Sequence, residues 1–339
     1  MLKPSYTAAK MLHACIGVAL LVGLALPAAG ATNTVTDYPS KPIQWIIPFP
    51  AGGNSDQSTK ILLPYLKKYM KDATIEPVYQ AGNSGITAAN VLNQAPSDGY
   101  TLMLGRVSNI AIGPAQAGAT NYTWRDFTVL SLIEANPLIC AVAANSPYQK
   151  PRDLINHIRK NPGTVKYPSV GRTTITDLST LYRMRIAGLK RTDVKAVPVK
   201  GGDDDALSVI DGRTDFVCVT TTTLVPEIKK GRLRGLFTTA PGRLVALPDL
   251  PNASEAGFRD MANMLGWSVL VGPKKMPAPV VQKWRDAMRL ATADPAWQAE
   301  AEKQGWLVLP KIQKNAELFL QEQSRIFEDI LGDEVAFKK

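Results

Sequence analysis

Histidine is nearly absent from this chain. Its 339 residues hold two, and His13 falls in a leader expected to be removed, so His157 alone remains. That residue sits in a polar helical stretch away from every glycine turn, where a solvated surface side chain is the ordinary outcome. Ser-His-Asp and Cys-His catalysis both place an imidazole beside the nucleophile, so a hydrolase or isomerase is the least supported class. No HExxH, CxxC or EF-hand spacing occurs, and no metal site is expected. The Gly52-Gly53 turn is not followed by Gly-Lys-Ser/Thr, and Gly82-x-x-Gly85 lacks the first glycine of the dinucleotide fingerprint. No cofactor is expected.

Long apolar runs are missing too. The longest, 16–26, is far short of the ~20 residues that span a bilayer. It follows Lys3 and Lys10 and precedes Ala29-Gly30-Ala31, the order of a cleaved signal peptide over 1–31. The mature chain is expected to begin near Thr32 and to reside in the periplasm. Cysteine is scarce: beyond Cys15 of the leader there are Cys140 and Cys218, both in apolar, strand-like runs. An oxidising compartment permits a disulfide, but burial in such runs favours two free thiols acting as small hydrophobes.

Acidic residues are outnumbered, 29 against 39 Lys and Arg, for a formal charge of +10. The excess suits an anionic partner. The basic residues are spread along the chain with no reading motif, so nucleic acid is not expected.

What the sequence does hold is a repeated order of short apolar strand, glycine turn and helix, the pattern of a parallel α/β sheet. A strand at 43–49 runs into Pro50, Ala51, Gly52 and Gly53, with Asn54, Ser55 and Asp56 as competent N-caps of a helix in which Pro64 predicts a kink. A strand at 75–79 leads to Gly82, Asn83, Ser84 and Gly85 and a helix through Leu92; a third strand, 100–104, ends at Gly105. The pattern recurs at 138–143, 151–160, 165–169 with Gly171, 194–199 with Gly201-Gly202, a helix at 206–211, a strand at 215–219 and a helix at 224–230. The segment 267–271 and helices at 279–293, 295–304 and 315–331 close the chain, with Trp267, Trp284, Trp297 and Trp306 as core residues. Two α/β units around a cleft fit this order. Each glycine turn exposes backbone N–H groups at the positive end of a helix, a ready seat for a carboxylate, and such turns gather beyond the carboxyl ends of the strands.

Tyr38-Pro39-Ser40-Lys41-Pro42-Ile43, Pro48-Phe49-Pro50-Ala51-Gly52-Gly53-Asn54-Ser55-Asp56 and Pro96-Ser97-Asp98-Gly99-Tyr100-Thr101-Leu102-Met103-Leu104-Gly105 resemble the tripartite tricarboxylate transporter substrate-binding proteins, the TctC or Bug family. Gly212-Arg213-Thr214-Asp215, Lys230-Gly231-Arg232-Leu233-Arg234 and Leu247-Pro248-Asp249-Leu250-Pro251 continue the match in order. The resemblance implies an α/β periplasmic-binding-protein fold of the type II Venus-flytrap kind. Its lobe 1 is expected over 32–136 and 256–339 and its lobe 2 over 137–255. It also implies a monomeric receptor for a small carboxylate, partnered by a membrane permease of one large and one small subunit. By position it places ligand contacts at Pro50 to Asp56, at Gly82, Asn83, Ser84, Gly85 and Thr87, at Arg106, Val107 and Ser108, at Ser169, Gly171, Arg172, Thr173 and Thr174, and at Lys200 and Gly201.

Several positions depart from the family pattern. Arg106 stands where a small polar residue is usual, and Arg172 and Asp177 where Asn and His are common. An arginine fork suits bidentate carboxylate binding, so Arg106 and Arg172 are expected to engage a second anionic group, as in a dicarboxylate. The alternative is that one of them pairs with Asp177 or another local acid. Asp56 is expected to cap its helix, Thr173 and Thr174 to reach the ligand, and Asp203-Asp204-Asp205 to favour a helix N-terminus. The ligand is expected to be a dicarboxylate or an aromatic carboxylate. The alternative function is a sensor that presents the bound acid to a membrane kinase.

Overall fold

The computed structural model describes residues 37–116, 118–171, 174–262, 264–307 and 315–336. The expected signal peptide, Arg172 and Thr173 lie outside them.

Three short parallel strands start the fold: β1 (Ile43–Ile47), β2 (Ile75–Tyr79) and β3 (Thr101–Arg106), in the order β2-β1-β3. Their connections carry α1 (Asn54–Leu66) and α2 (Ile86–Asn93). A π turn over Ser108–Ile112 and the short α3 (Gly113–Ala115) follow β3. Beyond β3 the sheet turns antiparallel, because the next strand, β9 (Leu265–Pro273), returns from far along the chain and lies between β3 and β4 (Phe127–Ala143).

β4 (Phe127–Ala143) is the pivot of the architecture. Phe127 to Pro137 pair with β9, whereas Leu138 onwards pairs with β7 (Phe216–Thr220) and, on the other edge, with β8 (Leu233–Thr238). One strand of 17 residues thus runs through both halves of the molecule. The partners change at Pro137, which has no N–H to give a ladder. The sequence reading recognised only 138–143 of this strand and missed β8. Along β4 all but the second and last residues are buried, so no period-2 alternation marks it, and Glu134 and Asn136 interrupt the apolar run.

The second half adds α4 (Pro151–Lys160), a parallel pair β5 (Val165–Ser169) and β6 (Val194–Pro198), α5 (Ile175–Ile186), α6 (Asp203–Ile210) and α7 (Thr221–Lys229). The chain then re-enters the first half through β9, α8 (Ala278–Ala293), α9 (Pro295–Lys303) and α10 (Ala316–Ala336). The four late tryptophans are core, as expected: Trp267, Trp284, Trp297 and Trp306 are all buried. Trp284 stacks obliquely on Trp45 of β1 and donates to the Tyr38 hydroxyl at 2.5 Å, locking the entry segment to α8. His157 is exposed on α4, against Tyr148.

One local expectation needs correction. Cys140 and Cys218 are not free thiols but form a disulfide. They face each other in the β4–β7 register with Cα atoms 4.1 Å apart, a proximity that only the strand pairing creates. Pro64 lies in the last turn of α1, which continues to Leu66.

Candidate functional site

The carboxyl ends of β1 and β3 and the start of α1 face β7, α5 and α6 across a cavity of about 460 Å³. Pro50, Ala51, Gly52, Gly53, Asn54 and Ser55 form one wall with Arg106, Val107 and Ser108; Thr174, Lys200 and Gly201 stand on the other. The other sequence-predicted residues that are described lie elsewhere. Gly82, Asn83, Ser84, Gly85, Thr87, Ser169 and Gly171 do not line the cavity, although the neighbour of the last two, Val170, does. The Gly82 turn supports the site from behind: Asn109 donates to the Gly85 carbonyl at 3.1 Å and accepts from the Arg106 N–H at 2.7 Å, tying turn and strand end together.

Asp56 is also outside the lining, and its role is positional. The N-cap of α1 is Gly53, with no side-chain cap. Asp56 instead reaches back: one carboxylate oxygen accepts from the Gly52 N–H and from Lys60, both at 2.7 Å, and the other from the Tyr79 hydroxyl at 2.9 Å. Burial opposes the charge, but these donors outweigh it and hold the carboxyl below its usual range. The Gly52 amide is therefore consumed inside the protein. The N–H groups of Asn54 and Ser55 have no partner among the described residues, as the first turn of a 13-residue helix requires. They are the part of the cradle left for an anion.

Arg106 resolves to a local acid, though not Asp177. Its guanidinium is buried and ion-paired with Glu134 of β4 at 3.0 Å, and it donates to Ser268 of β9 at 2.5 Å. Burial pulls the guanidinium down and pushes the Glu134 carboxyl up, each opposed by the charge of the other. One Glu134 oxygen also accepts from Ser58, Asn136 and Ser268. Arg106 is thus the cavity's floor, its charge already met. Thr174 likewise caps α5, its hydroxyl donating to the Gly171 carbonyl at 2.7 Å and lying 3.5 Å from the Asp177 N–H. Asp177 is buried and accepts from Tyr167 at 3.1 Å.

The sequence reading missed Phe49, Val170, Ile175, Thr176, Gly202, Asp203, Asp204, Asp205, Val219 and Thr220 on the cavity lining. The three aspartates do begin α6, as expected, yet they also form the second wall. Asp204 is occupied: it accepts from the Lys200 N–H at 2.9 Å and pairs with Arg213 at 2.5 Å. The two walls meet. Asn54 donates to Thr220 at 2.8 Å and accepts from Thr223 at 3.1 Å, and a Cβ placed on Gly202 would lie 3.3 Å from the Gly53 Cα.

Two α/β lobes joined by a through-running strand, with a small cavity walled by both, define a solute-binding protein. The model of the tripartite tricarboxylate transporter family receptor, TctC, matches residues 66–333, and the chain belongs to that family. A UPF0065 protein from the TAR-I ttuE-ttuC' intergenic region of Agrobacterium vitis is 29% identical over 259 residues, 76% of this chain and 73% of that protein. BugT of Bordetella pertussis is 25% identical over 75% of this chain and 78% of its own length. Among solved structures, a periplasmic transporter superposes with a TM-score of 0.81 at 26% identity, covering 88% of this chain and 98% of that one. MatC of Rhodopseudomonas palustris with bound malate superposes at 0.79 and 23% identity, over 86% of this chain and 99% of its own. The family is one of periplasmic solute-binding receptors rather than enzymes.

Proposed function

We propose that this chain is a periplasmic receptor that holds a small carboxylate between its lobes and delivers it to a permease of one large and one small membrane subunit. The observation that carries this reading is the pair of unpartnered N–H groups of Asn54 and Ser55, at the positive end of α1 and facing a cavity closed by the opposite lobe. Charge-assisted hydrogen bonds to such amides contribute roughly 1.5–3 kcal/mol each. Lobe 1 is read as 32–136 with 256–339 and lobe 2 as 137–255, the division at β4 falling where its pairing partners change. Family relatives solved with malate and with adipate are consistent with a carboxylate ligand. Dicarboxylates and aromatic acids therefore belong in the first panel.

Thermal denaturation of the purified protein against that panel tests the reading. A ligand that binds only the folded state stabilises it by about 2.7 kcal/mol at a hundredfold excess over Kd. At least one acid is expected to raise Tm, and Ser55→Pro, which removes one of the two amides, is expected to lose that rise. A panel in which no carboxylate moves Tm while neutral solutes do would refute the proposal.

A further inference from the structure

The chain's excess of positive charge does not sit at its cleft. Residues 150–200 hold twelve Lys and Arg against three acids, so nine of the ten net charges fall in this one stretch of α4, β5, α5 and β6. Of its described cations, only Lys200 lines the cavity. Val170 and Lys200, just past the carboxyl ends of β5 and β6, face the cavity, so the amino ends of these strands mark the opposite pole of the lobe. Two bonds gather the chain there. Arg159, near the end of α4, donates to the Ala187 carbonyl after α5 at 2.9 Å, and the Gly163 N–H before β5 donates to the Asp193 carbonyl before β6 at 2.8 Å. Lys166 and Lys195 are partners in the β5–β6 register, on strands about 4.8 Å apart. Arg159, Lys160, Lys166, Lys190, Arg191 and Lys195 are all exposed, and none forms an ion pair among the described residues. The acids of the stretch are engaged already: Asp153 accepts from the Lys150 N–H at 2.8 Å, Asp177 from the Tyr167 hydroxyl at 3.1 Å and Asp193 from the Lys190 N–H at 2.8 Å. Asp215, just before β7, accepts from the Lys166 N–H at 2.6 Å.

We propose that this pole is a docking face for a membrane surface rich in anionic phospholipid, separate from the ligand cleft. The inference goes beyond the carboxylate reading and needs from the family only its periplasmic location. Cations with no acid beside them, held together at one pole, attract a polyanion, and a layer of phosphate headgroups meets several of them at once without a shaped pocket. A folded protein partner suits the face less well. Protein interfaces are built around a buried apolar centre, and none of the large hydrophobic side chains exposed among the described residues falls within 150–200. Bound by this pole, the receptor keeps its cavity turned away from the lipid, so retention at the membrane does not block ligand capture.

Flotation of the purified chain from Thr32 onward with lipid vesicles tests this. At low ionic strength it is expected to bind vesicles of phosphatidylcholine with about a quarter phosphatidylglycerol at least tenfold more strongly than phosphatidylcholine alone. Most of that binding is expected to disappear in about 0.5 M salt, where the screening length falls to a few ångströms. Lys160→Glu, Lys190→Glu and Lys195→Glu together are expected to weaken it at least tenfold. These three head groups are exposed and make no ion pair among the described residues, and circular dichroism reports the folding of the variant. Lys67→Glu, Lys71→Glu and Lys229→Glu together make the same change in net charge at exposed positions outside the stretch and are expected to keep the binding. No preference for the anionic vesicles, or equal losses in the two triple variants, overturns the inference. Binding confined to vesicles that also carry membrane protein would assign the face to an acidic protein partner and overturn it as well.

Discussion

Asp205 has a consequence for stability that needs no ligand. Burial, with help from the neighbouring Asp204 charge, pushes its carboxyl up to about 7 from the ordinary 3.8. The folded state therefore holds a proton that the unfolded chain releases, and between those two values stability falls as pH rises. Below about pH 4 both states are protonated and the penalty vanishes; above about pH 7 it is fully present. The charge that acts on this position is that of Asp204, itself paired with Arg213; Asp203, Lys200 and Arg106 line the same cavity. Asp205→Asn is expected to match the wild type in urea denaturation near pH 4 and to exceed it above pH 7 by at most ~4 kcal/mol, at ~1.4 kcal/mol per unit. Curves that stay parallel across this range would remove Asp205 as the titrating group. Arg106 makes a different prediction at the same scale. Arg106→Met strands the Glu134 charge in the interior and is expected to cost about 3–5 kcal/mol. Adding Glu134→Gln is expected to recover most of that loss in the same assay. A double variant no more stable than the single one would show that the pair is not what Arg106 is for.

At the scale of elements, the first wall was legible in the sequence and the second only in part, at Thr174, Lys200 and Gly201. Gly52-Gly53 before α1 and Gly201-Gly202 before α6 each lie between a strand and the helix that follows it, and glycine between an apolar run and a helix start has few other meanings. The partners of these turns are a different matter. Glu134 lies 28 residues from Arg106, on a strand whose two faces are both buried; nothing local marks that strand, so the acid that neutralises the arginine stayed hidden. Cys140 and Cys218 are separated by 78 positions and become neighbours only because β7 pairs antiparallel with β4 in one register. Asp203-Asp204-Asp205 was read as a helix start, which it is. A helix places its third residue on a different face from its first, and here that rotation takes Asp205 inward and leaves Asp203 exposed. One periodicity count on α6 would have separated them, since Ala206 and Val209 point into the core on the same side as Asp205.

For the whole molecule, the two halves touch at a place where a single atom matters. Gly202 has φ +62°, a left-handed backbone that favours glycine, and a Cβ there would meet Gly53 Cα at 3.3 Å and Gly52 O at 3.5 Å across the cleft. Gly202 has no side chain with which to touch a ligand, and a side chain there adds strain in its own turn to the contact across the cleft. Gly202→Ala is expected to hold the lobes apart. Ligand affinity should fall at least tenfold, and the ligand-induced decrease in radius of gyration measured by small-angle scattering should shrink or disappear. Asn54 contributes to the same closure through its hydrogen bonds to Thr220 and Thr223. Each is worth about 0.5–1.5 kcal/mol, so Asn54→Ala is expected to weaken binding by roughly 5- to 150-fold with the same loss of compaction. A ligand shifts the lobes only by its differential affinity for the closed form, and the two variants act on that difference from opposite walls. If Gly202→Ala bound and compacted as the wild type does, the contact between Gly202 and Gly53 would be incidental, and closure would have to be set by the strands β4 and β9 alone.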